Sequence, residues 1–378
     1  MKILIDLLHI RKSSYAGIYI AAIDIVKGLR KYSDFDLELL IWEDQVEYID
    51  NWIGESLGKI KVPVDQKEYL DKMFTIHTPP KWLVEEIKKG QFDSIFTTCY
   101  TINSYVYPKE FLQVGIVYDM QPFRISMAEG RKKFALYWLL LSIIYYRKLP
   151  HILTISKSTT REVKKFSGRN STPIYLNIES SLKAIDGTII PEIANTRYIL
   201  DVNSFMKYKN TENLIYAFAE IKDKIPHKLY LKGYCNDNDK QRSHELKNLV
   251  VSLGIAERVI VDTSNRSNSE MSYLFENAEL FVSPSLLEGF GLTPLEAACH
   301  GCPIVVSNIE TLVEVTDGRV PTFNPRSVKS IADTILNVLK NTPSKEELYK
   351  LTNHYKQKYS LERQSNEYVS CFRELINK

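Results

Sequence analysis

Short runs of consecutive apolar residues alternate along this chain with longer stretches in which apolar residues recur every three or four positions. Short runs of this kind are typical of buried parallel strands, and the longer stretches are typical of amphipathic helices. In the first half the predicted strands are 2–5, 37–41, 94–98, 113–117 and 152–155, and the predicted helices are 18–29 and 158–166. Strands that alternate with helices predict a parallel α/β sheet.

The periodicity fades between residues 170 and 196, where Pro173 and Pro191 fall, and a second alternating series follows. Its predicted strands are 198–202, 228–231, 259–261, 278–282 and 303–306, and its predicted helices are 211–221, 244–253, 269–277, 328–340 and 361–376. We therefore predict one Rossmann-like domain at 1–180, a second at 195–355 and a separate C-terminal helix at 360–378.

Composition restricts the class of protein. A chain of 378 residues with 44% hydrophobic and 25% charged residues has enough apolar material for two cores. The net charge of +3 is too small for a nucleic-acid-binding protein. The first residues predict a strand and no signal peptide, and the five cysteines are scattered and odd in number. A cytoplasmic protein is the expectation.

Two carboxylates, Glu288 and Glu296, bracket a glycine-containing loop with seven residues between them. An apolar strand precedes this loop, and the sequence Thr293-Pro-Leu-Glu predicts a helix start after it. A helix N-terminus offers unpaired N–H groups and a positive dipole to an anion. Carboxylates beside it are suited to hydroxyl groups, so the segment predicts a site for a sugar nucleotide. Thr293 and Glu296 also fit a capping box, which is the purely structural alternative.

This stretch, Pro-Ser-x-x-Glu-Gly-Phe-Gly-Leu-x-x-x-Glu-Ala, resembles the central motif of family-4 glycosyltransferases, which are retaining enzymes of the GT-B fold. The resemblance extends to the segments 301–308, Glu314-Val, Lys209-Asn210 and Ile155-Ser156. It implies two Rossmann-like domains that face each other across a cleft, with the last helix crossing back to the first domain. The N-terminal half resembles the family more weakly.

The resemblance also implies roles for individual residues. Glu296 is expected to hold the ribose hydroxyls, Glu288 the hydroxyls of the transferred sugar, and Lys209 the leaving diphosphate. Backbone groups of Gly289, Phe290, Gly291, Leu292 and Thr293 are expected to meet sugar and phosphate oxygens, and Gly17 to line the diphosphate site. We assign Glu288, Lys209 and Asp119 as catalytic residues on this basis.

The chain departs from the family pattern at two places. The usual Gly-Arg pair appears as Asn203-Ser204, so Ser204 takes the position of an arginine near the phosphates, and Lys207 is a candidate to replace that charge. Tyr118 replaces the usual histidine before Asp119. Both residues follow a predicted strand and are expected to line the ligand site, although a helix-capping or turn-forming role for Asp119 is equally open.

Three further features of the sequence bear on a cofactor or metal site. Cys299-His-Gly-Cys302 has no second ligand pair at a suitable spacing, so we predict no zinc. Asp237 and Asp239 lie in a segment, 235–240, that predicts a polar loop. The dinucleotide fingerprint Gly-x-Gly-x-x-Gly is absent, which disfavours an NAD enzyme. The expectation is an enzyme that needs neither metal nor cofactor.

The segment 131–165 carries nine Lys or Arg residues against one Glu around an apolar centre at 134–146. A predominantly apolar centre of thirteen residues is too short to cross a bilayer. One interpretation is a core helix of the first domain with charged ends, which we favour because apolar residues surround the helix. The other is peripheral contact with an anionic membrane surface.

Together these features predict a glycosyltransferase. The expected donor is a nucleotide-diphosphate hexose held by the second domain, and the expected acceptor is a glycan or lipid-linked glycan on the first domain. The family analogy suggests a role in bacterial surface polysaccharide biosynthesis. The alternative is a catalytically impaired sugar-nucleotide-binding subunit of a glycan assembly complex.

Overall fold

The structure, a computed structural model, describes residues 1–10, 17–54, 56–67, 77–128, 131–182, 188–234 and 237–376. It divides into two units. The first consists of Met1–Asn177 together with Tyr359–Lys378, and the second of Ile178–Lys358. Each unit is built on one parallel sheet flanked by helices.

The first unit contains a seven-stranded parallel sheet of order β3-β2-β1-β4-β5-β6-β7. Its strands are β1 (Lys2–Asp6), β2 (Asp36–Trp42), β3 (Gly58–Val62), β4 (Ser94–Thr97), β5 (Gln113–Val117), β6 (His151–Thr154) and β7 (Thr172–Pro173). Its helices are α1 (Gly17–Tyr32), α2 (Val46–Ile53), α3 (Lys81–Gly90), α4 (Gln121–Ala128), α5 (Lys132–Lys148) and α6 (Lys157–Ser167). The elements β3, β7, α2, α3 and α4 were not predicted from the sequence.

The second unit repeats this arrangement with a six-stranded parallel sheet of order β10-β9-β8-β11-β12-β13. Its strands are β8 (Tyr198–Val202), β9 (Lys228–Lys232), β10 (Val259–Asp262), β11 (Leu280–Ser283), β12 (Ile304–Ser307) and β13 (Thr322–Phe323). Its helices are α7 (Thr211–Ile221), α8 (Asp237–Ser252), α9 (Asn268–Asn277), α10 (Leu292–Cys299), α11 (Glu310–Val315), α12 (Val328–Lys340) and α13 (Lys345–Lys358). Both strand orders are those of a Rossmann-type sheet.

Local sequence explains several element boundaries. Ser156 caps α6 by accepting a hydrogen bond from the backbone N–H of Thr159, and Gly168 ends that helix in the left-handed conformation. A capping box of Ser267 and Glu270 begins α9. Pro173 lies on the edge strand β7, where a missing N–H is tolerated. This short strand falls inside the segment predicted as a linker.

The last helix, α14 (Leu361–Ile376), packs in the first unit and confirms the prediction that the chain returns there. Gly28 of α1 permits the close approach, because a Cβ at that position would lie 2.2 Å from Oγ of Ser365. Phe372 makes an edge-to-face contact with Phe96 of β4 at a centroid distance of 5.0 Å. The helix therefore completes the core on that face of the first sheet.

Candidate active site

The second sheet reverses its strand order between β8 and β11, and open α/β sheets bind ligands outside the carboxyl ends of the strands at such a point. The connection after β8 carries Ser204 and Lys209 before it enters α7. The connection after β11 carries Glu288 and leads into α10. The predicted donor-binding residues of the second unit therefore all lie on these two connections or on α10.

Lys209 and Glu288 form an ion pair at this point of the sheet. Nζ of Lys209 lies 2.7 Å from Oε1 of Glu288, and the side chains are only 16% and 12% exposed. Burial alone would lower the pKa of Lys209, but the carboxylate of Glu288 outweighs it and the pKa lies above its usual value. The hydroxyl of Ser285 donates a second hydrogen bond of 2.7 Å to the same oxygen. The site thus holds a charged ammonium and a carboxylate in a fixed position.

The loop that carries Glu288 is held by side chains from other segments. Asn210 adopts the left-handed conformation with φ of 64°, which asparagine tolerates better than most residues. Its amide nitrogen donates to the carbonyls of Pro284, at 3.0 Å, and Pro325, at 2.8 Å. The hydroxyl of Thr311 donates to the carbonyl of Glu288 at 3.1 Å. The supporting roles of Asn210 and Thr311 were not predicted from the sequence, because their partners are distant in the chain.

Helix α10 begins at Leu292, with Gly291 as its N-cap residue and no side-chain capping hydrogen bond. The capping box of Thr293 and Glu296 therefore does not form, and this structural alternative is wrong. The helix start predicted at Thr293 lies one residue too late, and Glu296, expected in the first helical turn, is the fifth residue of the helix. The first N–H groups of α10 lack a side-chain cap, which is suited to an anion.

Tyr234, which the sequence analysis missed, relates Glu296 to the ion pair. Tyr234 is 49% exposed, yet desolvation of its phenol by the surrounding atoms and the negative charges of Glu296 and Glu288 raise its pKa to about 12, while Lys209 acts in the opposite direction. The charges of all three predicted residues of the second unit, Lys209, Glu288 and Glu296, therefore act on this phenol. Tyr234 lies two residues beyond the end of β9. Because ligands bind at the carboxyl ends of strands, this position could have marked Tyr234 as a site residue in the sequence.

Asp201 is a second residue that sequence reasoning did not identify. It is buried in β8, and its Oδ2 accepts a 2.6 Å hydrogen bond from the amide of Asn203. The hydroxyl of Thr211 lies 3.5 Å from the same oxygen. Burial raises the pKa of Asp201 to about 7, although Asn203 and the nearby charge of Lys209 both favour the ionised form. A titratable carboxyl thus lies beneath the ion pair.

The remaining donor-site candidates of the second unit differ in their surroundings. Ser204 is half-buried just beyond β8, whereas Lys207 is exposed. Gly289 and Phe290 are buried, and Leu292 and Thr293 are half-buried at the start of α10. Among the described residues of the connection between β8 and α7, Lys209 is therefore the cation with a largely buried side chain.

In the first unit, Gly17 is the exposed first residue of α1, and residues 13–16 of its predicted loop lie outside the described residues. Asp119 is half-buried two residues beyond β5. Tyr118 points into the core, where burial and the neighbouring Cys99 and Tyr368 raise its pKa well above the usual value. The expectation that Tyr118 lines a ligand site is therefore wrong.

The features weighed for metals have structural roles. Cys302 is buried, and its thiol donates to the carbonyl of Ala278 at 3.4 Å. The polar loop predicted at 235–240 is wrong at its second half, because α8 begins at Asp237. Asp239 is buried in that first turn and accepts a 2.7 Å hydrogen bond from the backbone N–H of Tyr234.

Two Rossmann-like units with a donor-type site at the strand-order reversal of the second sheet define a protein of the GT-B fold. The family model of the glycosyl transferases group 1 matches residues 189–356. The matched segment lies within the second unit and contains all six strands of its sheet. The second unit is therefore similar to the glycosyl transferases group 1.

Individual relatives agree with this assignment. The chain is 25% identical over 339 residues to the O-antigen chain mannosyltransferase RfbU of Salmonella typhimurium, covering 89% of this chain and 90% of that protein. Sucrose-phosphate synthase from Thermosynechococcus elongatus matches its fold with a TM-score of 0.76 at 14% identity, over 100% of this chain and 99% of that one. Anabaena Alr3699/HepE, solved in complex with UDP and glucose, matches with a TM-score of 0.71 at 15% identity, over 99% and 100%.

Proposed function

We propose that this chain transfers a hexose from a nucleoside-diphosphate sugar to a glycan or lipid-linked acceptor, with retention at the anomeric carbon, during assembly of a bacterial surface polysaccharide. The observation that carries the proposal is the ion pair of Lys209 and Glu288 at the strand-order reversal of the second sheet. Similarity to an O-antigen mannosyltransferase along most of both chains supports the pathway class and makes mannose the first sugar to test.

The proposed chemistry assigns a task to each charged group. Charge develops on the diphosphate as the bond to the sugar breaks, so the ammonium of Lys209 stabilises the transition state more than the ground state. Glu288 binds hydroxyls of the transferred sugar, and Glu296 binds those of the ribose. The N–H groups at the start of α10 meet phosphate or sugar oxygens. Ser204 and Gly17 complete the donor site in this proposal.

Retention needs no covalent intermediate in this scheme. An oxygen of the donor phosphate accepts the proton of the acceptor hydroxyl on the face that the leaving group vacates, while the protein contributes orientation and charge. The acceptor belongs to the first unit, where Asp119 is the candidate to bind it. No metal is required, because Lys209 and the helix N-terminus neutralise the diphosphate. Three buried cysteines in no disulfide, Cys99, Cys299 and Cys302, support a reducing, cytoplasmic location.

A thermal-shift screen over UDP, GDP, ADP and their hexose derivatives tests donor binding. A ligand present at 100 times its dissociation constant stabilises the folded state by about 2.7 kcal/mol, so one nucleotide should raise the melting temperature clearly. Release of that nucleotide from its sugar, with or without acceptor, then tests catalysis. Binding without release would favour a catalytically impaired binding subunit, and no stabilisation by any nucleotide would contradict both.

A further inference from the structure

Helix α5 presents a row of exposed apolar side chains. Leu136, Leu140 and Ile144 are 55%, 52% and 42% exposed. Residues four apart lie on one face of an α-helix, so these three form a continuous strip, which we call the α5 stripe, about 12 Å long. Large apolar side chains grouped on one exposed face mark an interaction surface more often than scattered ones do.

The opposite side of α5 is firmly packed. Ala135, Tyr145 and Tyr146 are buried, and the helix contacts α4 and α6. The hydroxyl of Tyr145 accepts a 3.1 Å hydrogen bond from the backbone N–H of His77. The core interpretation of this segment is thus correct for one face of the helix, and the α5 stripe is the face that the first unit leaves uncovered.

A cluster of aromatic rings lies at the start of α5, around the helix from the stripe. Phe134 is exposed, and its ring centroid lies 6.1 Å from that of Tyr137 and 5.9 Å from that of Trp138. The guanidinium of Arg131 lies 5.4 Å from the Phe134 ring. Tyrosine and tryptophan combine an apolar body with a polar tip, and membrane–water interfaces favour this combination.

The charges around the stripe have one sign. Exposed basic residues occupy both ends of α5, namely Arg131, Lys132, Lys133, Arg147 and Lys148. The adjoining α6 adds the exposed Lys157, Arg161, Lys164 and Lys165. The acidic residue of this segment, Glu162, is half-buried and ion-paired with Arg124. A second copy of this surface would repel it, whereas an anionic lipid surface attracts it.

We propose that the α5 stripe docks into the headgroup region of an anionic lipid bilayer, with the basic ends of α5 contacting lipid phosphates. Among the described residues no helix combines the length and apolarity needed to span a bilayer, so this contact is peripheral. The purpose of this contact rests on the proposed function, because docking would hold the enzyme at the surface where a lipid-linked acceptor resides.

Flotation with vesicles tests the proposal. The full chain should bind vesicles of phosphatidylcholine with 30% phosphatidylglycerol and bind pure phosphatidylcholine at least about tenfold more weakly. Replacing the stripe by Leu136→Ser, Leu140→Ser and Ile144→Ser together should weaken binding to the anionic vesicles by about tenfold or more, because the inserted apolar area is lost. Val251→Ser, at a 66% exposed position of α8, is the matched control and should bind normally.

The contribution of charge is tested with the double variant Lys132→Glu and Lys133→Glu. This variant should bind anionic vesicles more weakly, and the binding that is left should depend less on the salt concentration. Unchanged melting temperatures and unchanged nucleotide release in detergent-free solution show that the variants are folded and separate this test from that of the proposed function. Equal binding of the native chain and the triple variant would overturn the proposal. So would a native dimer that the triple variant dissociates without any vesicle binding.

Discussion

The ammonium of Lys209 donates a 2.7 Å hydrogen bond to Oε1 of Glu288, although 79 residues separate them in the chain. The two side chains meet because β8 and β11 are neighbours in the sheet and their connections leave from the same edge. A buried ion pair contributes little net stability, since desolvation offsets the attraction. Its position at the strand-order reversal, where open α/β sheets bind ligands, fits the role in binding and catalysis that we propose.

We expect Lys209→Ala, Glu288→Ala and Glu296→Ala each to lower donor turnover by about 100-fold or more while leaving the protein folded. Loss of one transition-state contact of this kind typically costs a factor of about 100 to 1,000. Turnover is measured as nucleotide released from the donor sugar, and folding by circular dichroism. Lys350→Ala, which removes an exposed lysine from another ion pair of the same unit, is the matched control. Full activity in all three variants would disprove the site.

The coupling within the pair can be measured separately. Lys209→Met leaves the Glu288 carboxylate half-buried without its cation, and Glu288→Gln leaves the ammonium without its anion. The double change should therefore lower the melting temperature by less than the sum of the two single changes, with a coupling of about 1–3 kcal/mol. Additive melting temperatures across the four proteins would mean that the two charges do not interact in solution.

Most of the fold and part of the site could be predicted from the sequence. Continuous apolar runs and helical periodicity predicted the two parallel sheets, and the motif of Glu288 and Glu296 predicted a ligand loop. Asp201 and Asn210 could not be found this way, because their burial and hydrogen bonds depend on segments far away in the chain. Tyr118 was misjudged for a related reason: its position after a strand is visible in the sequence, but its side-chain direction is not.

Substitution of Gly291 tests the backbone conformation at the start of α10. Its φ of 103° is unfavourable for any residue with a side chain, and a Cβ there would lie 2.5 Å from a methyl carbon of Leu312. We expect Gly291→Ala to destabilise the protein by about 1–3 kcal/mol and to weaken donor binding, because the strain displaces the first turn of α10.

Gly254→Ala is the control for that substitution. Gly254 also has a positive φ, of 65°, but no atom lies within 4 Å of a Cβ built there. It should share the backbone strain without the clash and leave the donor Michaelis constant unchanged. Equal losses of melting temperature and of donor affinity in the two variants would show that the Leu312 contact does not matter.

Asp201 predicts a pH dependence of stability. Its pKa of about 7 in the folded protein lies above the ordinary value of 3.8, so between these values the folded state binds more protons than the unfolded state. The carboxyl therefore lowers the free energy of unfolding as pH rises from about 4 to 7, by about 1.4 kcal/mol per pH unit within that window. Asp201→Asn removes this loss, so the variant should gain melting temperature relative to the native chain between pH 5 and pH 8.

Asp6 allows the same argument to be tested in the first unit. It is buried at the end of β1, where Tyr107 donates a 3.0 Å hydrogen bond to it, and burial raises its pKa to about 6. Asp6→Asn should also gain melting temperature relative to the native chain as pH rises. This gain should level off near pH 6, whereas the gain of Asp201→Asn should continue to about pH 7. A pH-independent difference in melting temperature for Asp201→Asn would mean that this carboxyl is ionised throughout. The attraction of Lys209 would then outweigh burial, and donor binding, which draws that ammonium toward phosphate, would be expected to raise the pKa of Asp201.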